Sequence, residues 1–295
     1  MGATTIDGKA TAAAERERIA TEVTALGEHG IVPGLAAVLV GDDPASEVYV
    51  RQKERMCERV GMRSLGERLD AEVSQSELLE VVDRLNADPA VSGIIVQMPL
   101  PDHLDEVEAQ ERTDPTKDVD GLHPENAGRL MRGDPRFVPA TPLGCAVLLA
   151  TYEIAVSGAN IVVLGRSQLV GRPLATLLSA KPSPGGPVGN ATVTVCHTRT
   201  RDLAAHTRAA DVIVVAAGVA GALTADMVSP GATVIDVGIH RAEDGSLHGD
   251  VTDPTVEEVA GALTPVPGGV GPMTVTMLLE NTVRAARIQA GLPAV

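Results

Sequence analysis

Tyr49 and Lys53 are the two residues whose types and spacing most clearly suggest chemistry. They lie four positions apart in a segment, residues 45–60, that lacks Gly and Pro and is rich in helix-forming residues. A helix places positions i and i+4 on one face, so the phenol and the amine should project side by side. A lysine buried beside a ring can have a pKa low enough for proton transfer. The alternative is an ordinary amphipathic helix with a packed Tyr and a solvated Lys.

A glycine-containing turn near the middle of the chain predicts a nucleotide site. An apolar strand segment, residues 161–164, is followed by Gly165, Arg166, Ser167 and, after three more residues, Gly171. A strand, a glycine turn and a helix N-terminus together bind a diphosphate, because backbone N–H groups and the helix dipole point towards the anion. The spacing differs from GxGxxG, so a purely structural turn is the alternative.

The next apolar strand bears on the choice of dinucleotide. NAD enzymes usually carry an acidic residue there for the ribose hydroxyls, whereas this chain has the polar segment 196–201 with two arginines and the hydroxyl of Thr198. Such groups suit a 2′-phosphate, which Arg166 and Ser167 could reach from the first turn. Asp202 is expected to begin the following helix instead. The cofactor predicted is therefore NADP.

The elements that must position these residues alternate between apolar strands and helical patterns, which predicts parallel βαβ units and an α/β fold. Helices are predicted at 7–29, 45–60, 74–86 and 272–290, and strands at 34–41, 62–69, 92–98, 160–165, 191–197, 211–218, 232–238 and 262–265. Thr141 should cap a further helix with Pro142 at its first position. Irregular loops are expected over 113–139, as part of an active site, and over 181–190 at the surface.

Composition limits the class of protein. The length of 295 residues predicts two domains, and the net charge of −15 argues against nucleic acid or an anionic membrane as the main partner. Cys57, Cys145 and Cys196 are widely spaced, which favours reduced thiols and a cytoplasmic location. His197 and His206, with Cys196, lack metal-ligand spacing, and no metal is expected. The first residues contain no apolar signal core, and no apolar run is long enough to span a membrane.

Five segments, in order along nearly the whole chain, resemble the bifunctional methylenetetrahydrofolate dehydrogenase/cyclohydrolase family of the bacterial FolD type. The segments are VGDDPASEVYVRQK (40–53), VQMPLP (96–101), KDVDGLHP (117–124), the Gly165–Gly171 turn and TPVPGGVGPMT (264–274). The resemblance implies a folate cleft between an N-terminal catalytic domain, residues 1–140, and a Rossmann-like NADP domain with a parallel sheet, residues 141–271. It also implies a C-terminal helix, residues 272–295, that returns to the first domain, and a homodimer.

The same resemblance assigns roles by motif. Lys53 matches the catalytic lysine, Tyr49 its ring-stacking partner, Gln97 the glutamine beside the lysine and Asp120 the pterin-binding aspartate, whereas Asp118 is expected only to cap its loop. Ser46 is a candidate N-cap with a folate contact. The cofactor positions are Gly165, Arg166, Ser167, Thr198 and Ile239, and the glycine-rich wall of the folate site contains Pro267, Gly268 and Gly271.

The implied function is that of an oxidoreductase and hydrolase of one-carbon metabolism. NADP-dependent oxidation of 5,10-methylenetetrahydrofolate gives 5,10-methenyltetrahydrofolate, which is then hydrolysed to 10-formyltetrahydrofolate, a donor for purine and amino-acid biosynthesis. The alternatives are a monofunctional dehydrogenase and a non-enzymatic nucleotide-binding module. A short-chain dehydrogenase also carries Tyr-x-x-x-Lys, but there the pair follows the cofactor glycines, whereas Lys53 precedes Gly165 by more than a hundred residues.

Overall fold

A computed structural model describes residues 2–182, 188–242 and 244–293. Residues 183–187 of the surface loop predicted at 181–190 therefore lie outside the described residues. The helices are α1 (Gly8–Glu28), α2 (Pro44–Arg59), α3 (Gln75–Ala87), α4 (Glu106–Arg112), α5 (Pro124–Arg132), α6 (Ala140–Thr151), α7 (Gly171–Ser179), α8 (Leu203–Thr207), α9 (Val256–Val259) and α10 (Val270–Gln289). The strands are β1 (Thr4–Thr5), β2 (Gly34–Val40), β3 (Arg63–Ser64), β4 (Glu67–Leu69), β5 (Gly93–Val96), β6 (Asn160–Leu164), β7 (Thr192–Cys196), β8 (Val212–Val215), β9 (Thr233–Asp236), β10 (His240–Arg241), β11 (Leu247–His248) and β12 (Ala262–Leu263).

One compact unit is built on a six-stranded sheet and contains residues 2–13, 130–134 and 141–274. Its strands run parallel in the order β1-β12-β9-β8-β6-β7. The central strand β8 is Val-Ile-Val-Val and is buried throughout, as expected for a parallel strand covered on both faces. Because β6 has β7 on one side and β8 on the other, the winding direction reverses there, which creates a topological switch point at the carboxyl ends of β6 and β8.

The other compact unit contains residues 14–129, 135–140 and 275–293. Its sheet is centred on β2, which pairs in parallel with β5 on one side and with the short strands β3 and β4 on the other. Every residue of β2 is buried, which explains why it is one continuous apolar run without alternation. Both units are α/β with parallel sheets, and the predicted fold class is confirmed. The predicted domain boundaries at residues 140 and 271 stay a prediction.

Helix α2 owes its start to Asp43 rather than to Ser46. The Asp43 carboxylate accepts a hydrogen bond from the backbone N–H of Ser46 at 2.7 Å, and Pro44 occupies the first turn. The N-cap predicted at Ser46 is therefore wrong, because Asp43 caps the helix and Pro44 already lies in its first turn. Ser46 lies inside the helix and is buried.

Two other local predictions are wrong. Residues 113–139 are not irregular throughout, because they contain helix α5 (Pro124–Arg132), which has a Pro and a Glu in its first turn. The many Asp, Gly and Pro residues of the segment conceal this helix in the sequence. Helix α6 starts at Ala140, so Thr141 lies within it and does not cap it. The Thr141 hydroxyl is 2.9 Å from the hydroxyl of Thr274 instead. None of the helices in the described residues combines the length and apolarity needed to cross a lipid bilayer.

Removal of the α2 cap should destabilise the unit that contains this helix. Asp43→Ala takes away the acceptor for the Ser46 N–H and should lower the free energy of unfolding by about 1 kcal/mol. Asp43→Ser keeps a side-chain oxygen and should recover most of that loss. Urea unfolding measures both variants, with Asp102→Ala, an exposed aspartate outside the helices, as the matched control. Equal stability of Asp43→Ala and the wild type would contradict the capping role.

Candidate active site

Lys53 and Gln97 are in direct contact. Lys53 lies on α2, and Gln97 directly follows β5, the strand paired with the central strand β2. The lysine Nζ donates a hydrogen bond to Gln97 Oε1 at 3.0 Å. The Gln97 amide nitrogen donates to the carbonyl oxygen of Met98 at 2.7 Å, so the amide has its oxygen turned towards the lysine. The structure therefore fixes the amine on a rigid pair of elements.

The charge state of Lys53 is set by its surroundings. Burial lowers the pKa of the Lys53 amine, and Asp120 and Cys57 oppose this shift. Burial raises the pKa of the Asp120 carboxyl, which the Lys53 charge lowers and the Asp118 charge raises further. With shifts in these directions, the amine and the carboxyl are closer in proton affinity than free Lys and Asp are. Shifted pKa values of this kind are characteristic of sites at which protons are transferred.

Asp118 and Asp120 have different roles although they are two residues apart. The Asp118 carboxylate accepts hydrogen bonds from the backbone N–H groups of Leu122 and His123 and from the buried amide of Asn126. The predicted loop-capping role of Asp118 is confirmed. The Asp120 carboxylate accepts no hydrogen bond from any group in the described residues. It is therefore available to a ligand.

Asn281 is a residue that the sequence interpretation missed. It is buried on α10, and its amide donates to the carbonyl oxygens of Val119 at 2.8 Å and Val138 at 2.9 Å. The first of these bonds holds the backbone immediately before Asp120. A signal was present in the sequence, because an Asn within the apolar face of a long terminal helix needs a partner when it is buried.

Tyr49 presents a ring to solvent one helical turn before Lys53. Its side chain is 41% exposed. The chain has only two Tyr, one Phe and no Trp, so an aromatic ring left at the surface is unusual. A half-exposed ring at this place offers a flat surface on which a planar ligand can stack. Ser46, one turn earlier, is buried.

The nucleotide turn lies at the switch point of the six-stranded sheet. Gly165 follows β6 with φ of 141°, and a Cβ on it would collide with the carbonyl oxygen of Ala216, which follows β8. A Cβ on Gly171 would collide with the Gly165 carbonyl in turn. Only glycine permits this close folding of the turn, which leaves a concave backbone at the start of α7. The Ser167 hydroxyl oxygen accepts from the Val170 N–H at 3.2 Å and so shapes the same turn.

The groups predicted to bind a 2′-phosphate are at the same sheet edge. Arg166, Ser167 and Thr198 are exposed, and the Gly165 N–H donates to the carbonyl of Cys196 at 2.9 Å, which joins the ends of β6 and β7. Asp202 has φ of 47° and accepts from the N–H of Ala205, at the start of α8. Its prediction as the start of the next helix is confirmed. Its carboxylate is therefore hydrogen-bonded to the backbone, and this edge of the sheet presents hydroxyls and arginines rather than a carboxylate to a ligand.

The residues expected at the folate wall are next to Ile239, a predicted cofactor residue. Ile239 follows β9 and is 46% exposed, and its Cδ1 is 3.6 Å from the place that a Cβ would take on Gly271. Gly268 has φ of 111°, a conformation that favours glycine, and its carbonyl accepts from the N–H of Lys9 at 2.9 Å. Pro267 precedes it. The glycines leave room for a flat molecule beside an apolar side chain.

Two family models match the chain. Residues 6–120 match the catalytic domain of tetrahydrofolate dehydrogenase/cyclohydrolase, and residues 139–290 match the NAD(P)-binding domain of the same family. The chain belongs to the tetrahydrofolate dehydrogenase/cyclohydrolase family. The family predicted from the five sequence segments is thereby confirmed, and the glycine turn at Gly165 lies within its NAD(P)-binding domain.

Individual members of the tetrahydrofolate dehydrogenase/cyclohydrolase family are similar over the full length. Bifunctional protein FolD of Paraburkholderia xenovorans (strain LB400) is 54% identical over 290 residues, which cover 98% of this chain and 99% of that protein. The crystal structure of the bifunctional FolD enzyme from Campylobacter jejuni is 46% identical with a TM-score of 0.91, over 97% of this chain and 99% of that one. The Trypanosoma brucei enzyme, solved with NADP cofactor and an inhibitor, is 38% identical with a TM-score of 0.90, over 98% and 99%.

Proposed function

We propose that this chain catalyses two successive reactions of a folate one-carbon unit. The first is the NADP-dependent oxidation of 5,10-methylenetetrahydrofolate to 5,10-methenyltetrahydrofolate, and the second is hydrolysis of that product to 10-formyltetrahydrofolate. Family membership over nearly the whole chain supports both activities. The observation that carries the second is the buried Lys53 amine, which is hydrogen-bonded to Gln97 and lies in the field of Asp120.

In the oxidation, the residues of the switch point bind and orient the cofactor. When bound there, NADP⁺ would supply the acceptor for the hydride that leaves the one-carbon bridge. Because Gly165 and Gly171 have no Cβ, the turn folds closely against the neighbouring backbone at the start of α7. Backbone N–H groups and the helix dipole favour a diphosphate at such a place. Arg166, Ser167 and Thr198 suit the 2′-phosphate. The exposed side chain of Ile239 gives the reacting rings an apolar surface that excludes water, and alignment of two rings is where most of the rate enhancement of such a step arises.

In the hydrolysis, Lys53 moves a proton. Water attacks the carbon of the cationic methenyl bridge, and the neutral Lys53 amine takes a proton from the water as the C–O bond forms. The bond from this carbon to N5 of the folate then breaks as the lysine ammonium returns its proton to N5, and the hydroxyl proton of the adduct passes to solvent as the formyl C=O forms. Overall, one water is consumed and one proton is released. Gln97 orients the amine through its amide oxygen. Burial and a cationic substrate both favour the neutral amine that this role requires.

The remaining candidate residues recognise the substrate. No group in the part of the chain that the structure describes donates a hydrogen bond to the Asp120 carboxylate, which fits the amino-pyrimidine edge of a pterin as a bidentate acceptor. The exposed ring of Tyr49 stacks on the folate. Pro267, Gly268 and Gly271 form a wall against which a flat ring can lie, and buried Ser46 supports the first turn of the helix that carries Tyr49.

We also propose a homodimer in the cytoplasm. Among the described strands, the edge strand β7 pairs only with β6, so its outer N–H and C=O groups are open to a second copy. Beside it, Val195 (42% exposed) and Met131 (72% exposed) line an open groove of about 650 Å³. The three free, buried cysteines suit a reducing compartment.

Loss of the Lys53 amine should separate the two reactions. Lys53→Met should abolish hydrolysis of the methenyl substrate while cofactor binding persists, and Lys53→Arg should fail equally because a guanidinium does not deprotonate. In the wild type, the hydrolysis rate should rise with pH as the amine loses its proton, with a midpoint below the 10.5 of an ordinary lysine. Stopped-flow absorbance of the methenyl chromophore measures these rates. Arg51→Met, on the exposed face of the same helix, is the control, and unchanged hydrolysis in Lys53→Met would remove this residue from the mechanism.

Arg166 should determine the preference for NADP. Arg166→Ala should weaken NADP⁺ binding by about 1.5–3 kcal/mol, through loss of a charged hydrogen bond, and leave NAD⁺ binding almost unchanged. Calorimetric titration with each cofactor measures both affinities, with Arg208→Ala, which removes an exposed arginine bonded to Asp226, as the control. Equal losses for the two cofactors would place the 2′-phosphate elsewhere.

A charge on the open sheet edge should prevent dimer formation. Val195→Lys puts an ammonium on the outer strand, where pairing with a second copy would bury it. Light scattering after gel filtration should show half the mass of the wild type at the same concentration. Val107→Lys, at a position that is 60% exposed on α4, should leave the mass unchanged. A Val195→Lys protein that keeps the wild-type mass would exclude this edge as the interface.

A further inference from the structure

A buried carboxylate lies behind the nucleotide turn and is not explained by either reaction. Asp250 is 0% exposed. Its Oδ2 accepts hydrogen bonds from the backbone N–H groups of Ala217 at 2.7 Å and Gly218 at 2.9 Å, and its Oδ1 is 2.7 Å from Nε2 of His240. The carboxylate therefore joins two loops that are separate in sequence. An anion buried to this degree needs all of these partners.

Both loops bound the switch point at which the dinucleotide is proposed to bind. Ala217 and Gly218 continue from Ala216, whose carbonyl oxygen is so close to Gly165 that a side chain at position 165 has no room. His240 directly follows Ile239, the exposed apolar residue assigned to the cofactor. Asp250 thus connects the wall of the glycine turn to the backbone that presents Ile239.

Further contacts hold Asp250 and His240 in place. The carboxylate of Asp236, at the end of β9, accepts from the backbone N–H groups of Gly238 at 3.0 Å, Asp250 at 3.0 Å and Val251 at 2.9 Å. The ring of His240 stacks on that of His248, with centroids 5.2 Å apart. The Asp236 carboxylate holds the backbone of Asp250, and the Asp250 carboxylate in turn holds the two loops. Because both side chains are fixed by hydrogen bonds, the two loops keep a defined position relative to each other.

We infer that Asp250 is a positioning residue for the dinucleotide, and this inference rests on the proposed dehydrogenase activity. Its Oδ2 fixes the Ala217–Gly218 wall against the glycine turn, and its Oδ1 fixes His240 and hence Ile239. The carboxylate touches neither substrate nor proton in the hydrolysis. Its removal should therefore act on cofactor binding and spare the reaction that needs no hydride acceptor.

The test compares Asp250→Ala with Asp250→Asn. The alanine variant removes the acceptor shared by the Ala217 and Gly218 N–H groups and should raise the KM and Kd for NADP⁺ about 10- to 100-fold. Hydrolysis of the methenyl substrate, assayed without cofactor, should stay within about twofold of the wild type. Asn keeps an oxygen for Ala217 and Gly218 and should restore most of the affinity. Asp253→Ala is the matched control, because that carboxylate also accepts a backbone N–H, from Ala225, but away from the turn.

Several outcomes would overturn the inference. Unchanged NADP⁺ affinity in Asp250→Ala, or an equal loss of both reactions together with a lower melting temperature, leaves Asp250 without a positioning role. If Asp250→Ala does not fold, His240→Leu decides, since it removes the donor to Oδ1 and leaves the bonds of Oδ2 to Ala217 and Gly218 in place. NADP⁺ affinity in that variant must fall, and His240→Gln, which keeps a donor, must recover it. A wild-type protein that shows no NADP⁺ binding by calorimetry would instead overturn the proposed function, and the inference with it.

Discussion

The burial of the Lys53 amine is the constraint on which the site depends. An ammonium in this place loses hydration, and Gln97 and Asp120 replace only part of it, so the balance moves towards the neutral amine. The same burial moves the Asp120 carboxyl in the opposite direction. The two shifts bring the proton affinities of the amine and the carboxyl closer together than they are in water.

The second constraint is the close approach of backbone at the switch point. In the parallel sheet the loops after β6, β8 and β9 emerge at one edge, and close contacts behind them leave no space for an additional methyl group at particular glycines. Gly165 fits against Ala216, and Gly249 fits against the Asp236 carboxylate. Carboxylates buried behind these loops hold the backbone in place through hydrogen bonds, a role that packed side chains have in other parts of a protein. These contacts explain how a chain with mostly small side chains, rich in Ala, Val and Gly, can still present a defined surface to a dinucleotide.

Sequence alone predicted the features that depend on local pattern. The continuous apolar runs of β2 and β6, the helix that carries Tyr49 and Lys53, and the capping role of Asp118 all follow from periodicity or turn chemistry. The failures have physical reasons. Helix α5 was concealed because Pro124 reads as a turn residue although it starts a helix, and the cap at Asp43 outcompeted Ser46 because it comes first and is followed by Pro44. Asn281 and Asp250 were missed because their partners lie far away in the chain, where no spacing rule applies.

The amide of Asn281 has a consequence for the order of events during synthesis. It supplies hydrogen bonds to the carbonyls of Val119 and Val138, and Gln289 supplies one to the carbonyl of Ser92, although all three carbonyls belong to segments translated long before. While α10 is still inside the ribosomal exit tunnel, the backbone that presents Asp120 lacks these donors. The segment that presents Asp120 thus acquires this support only once α10 has been made, and a variant without α10 would lack the internal support of this carboxylate.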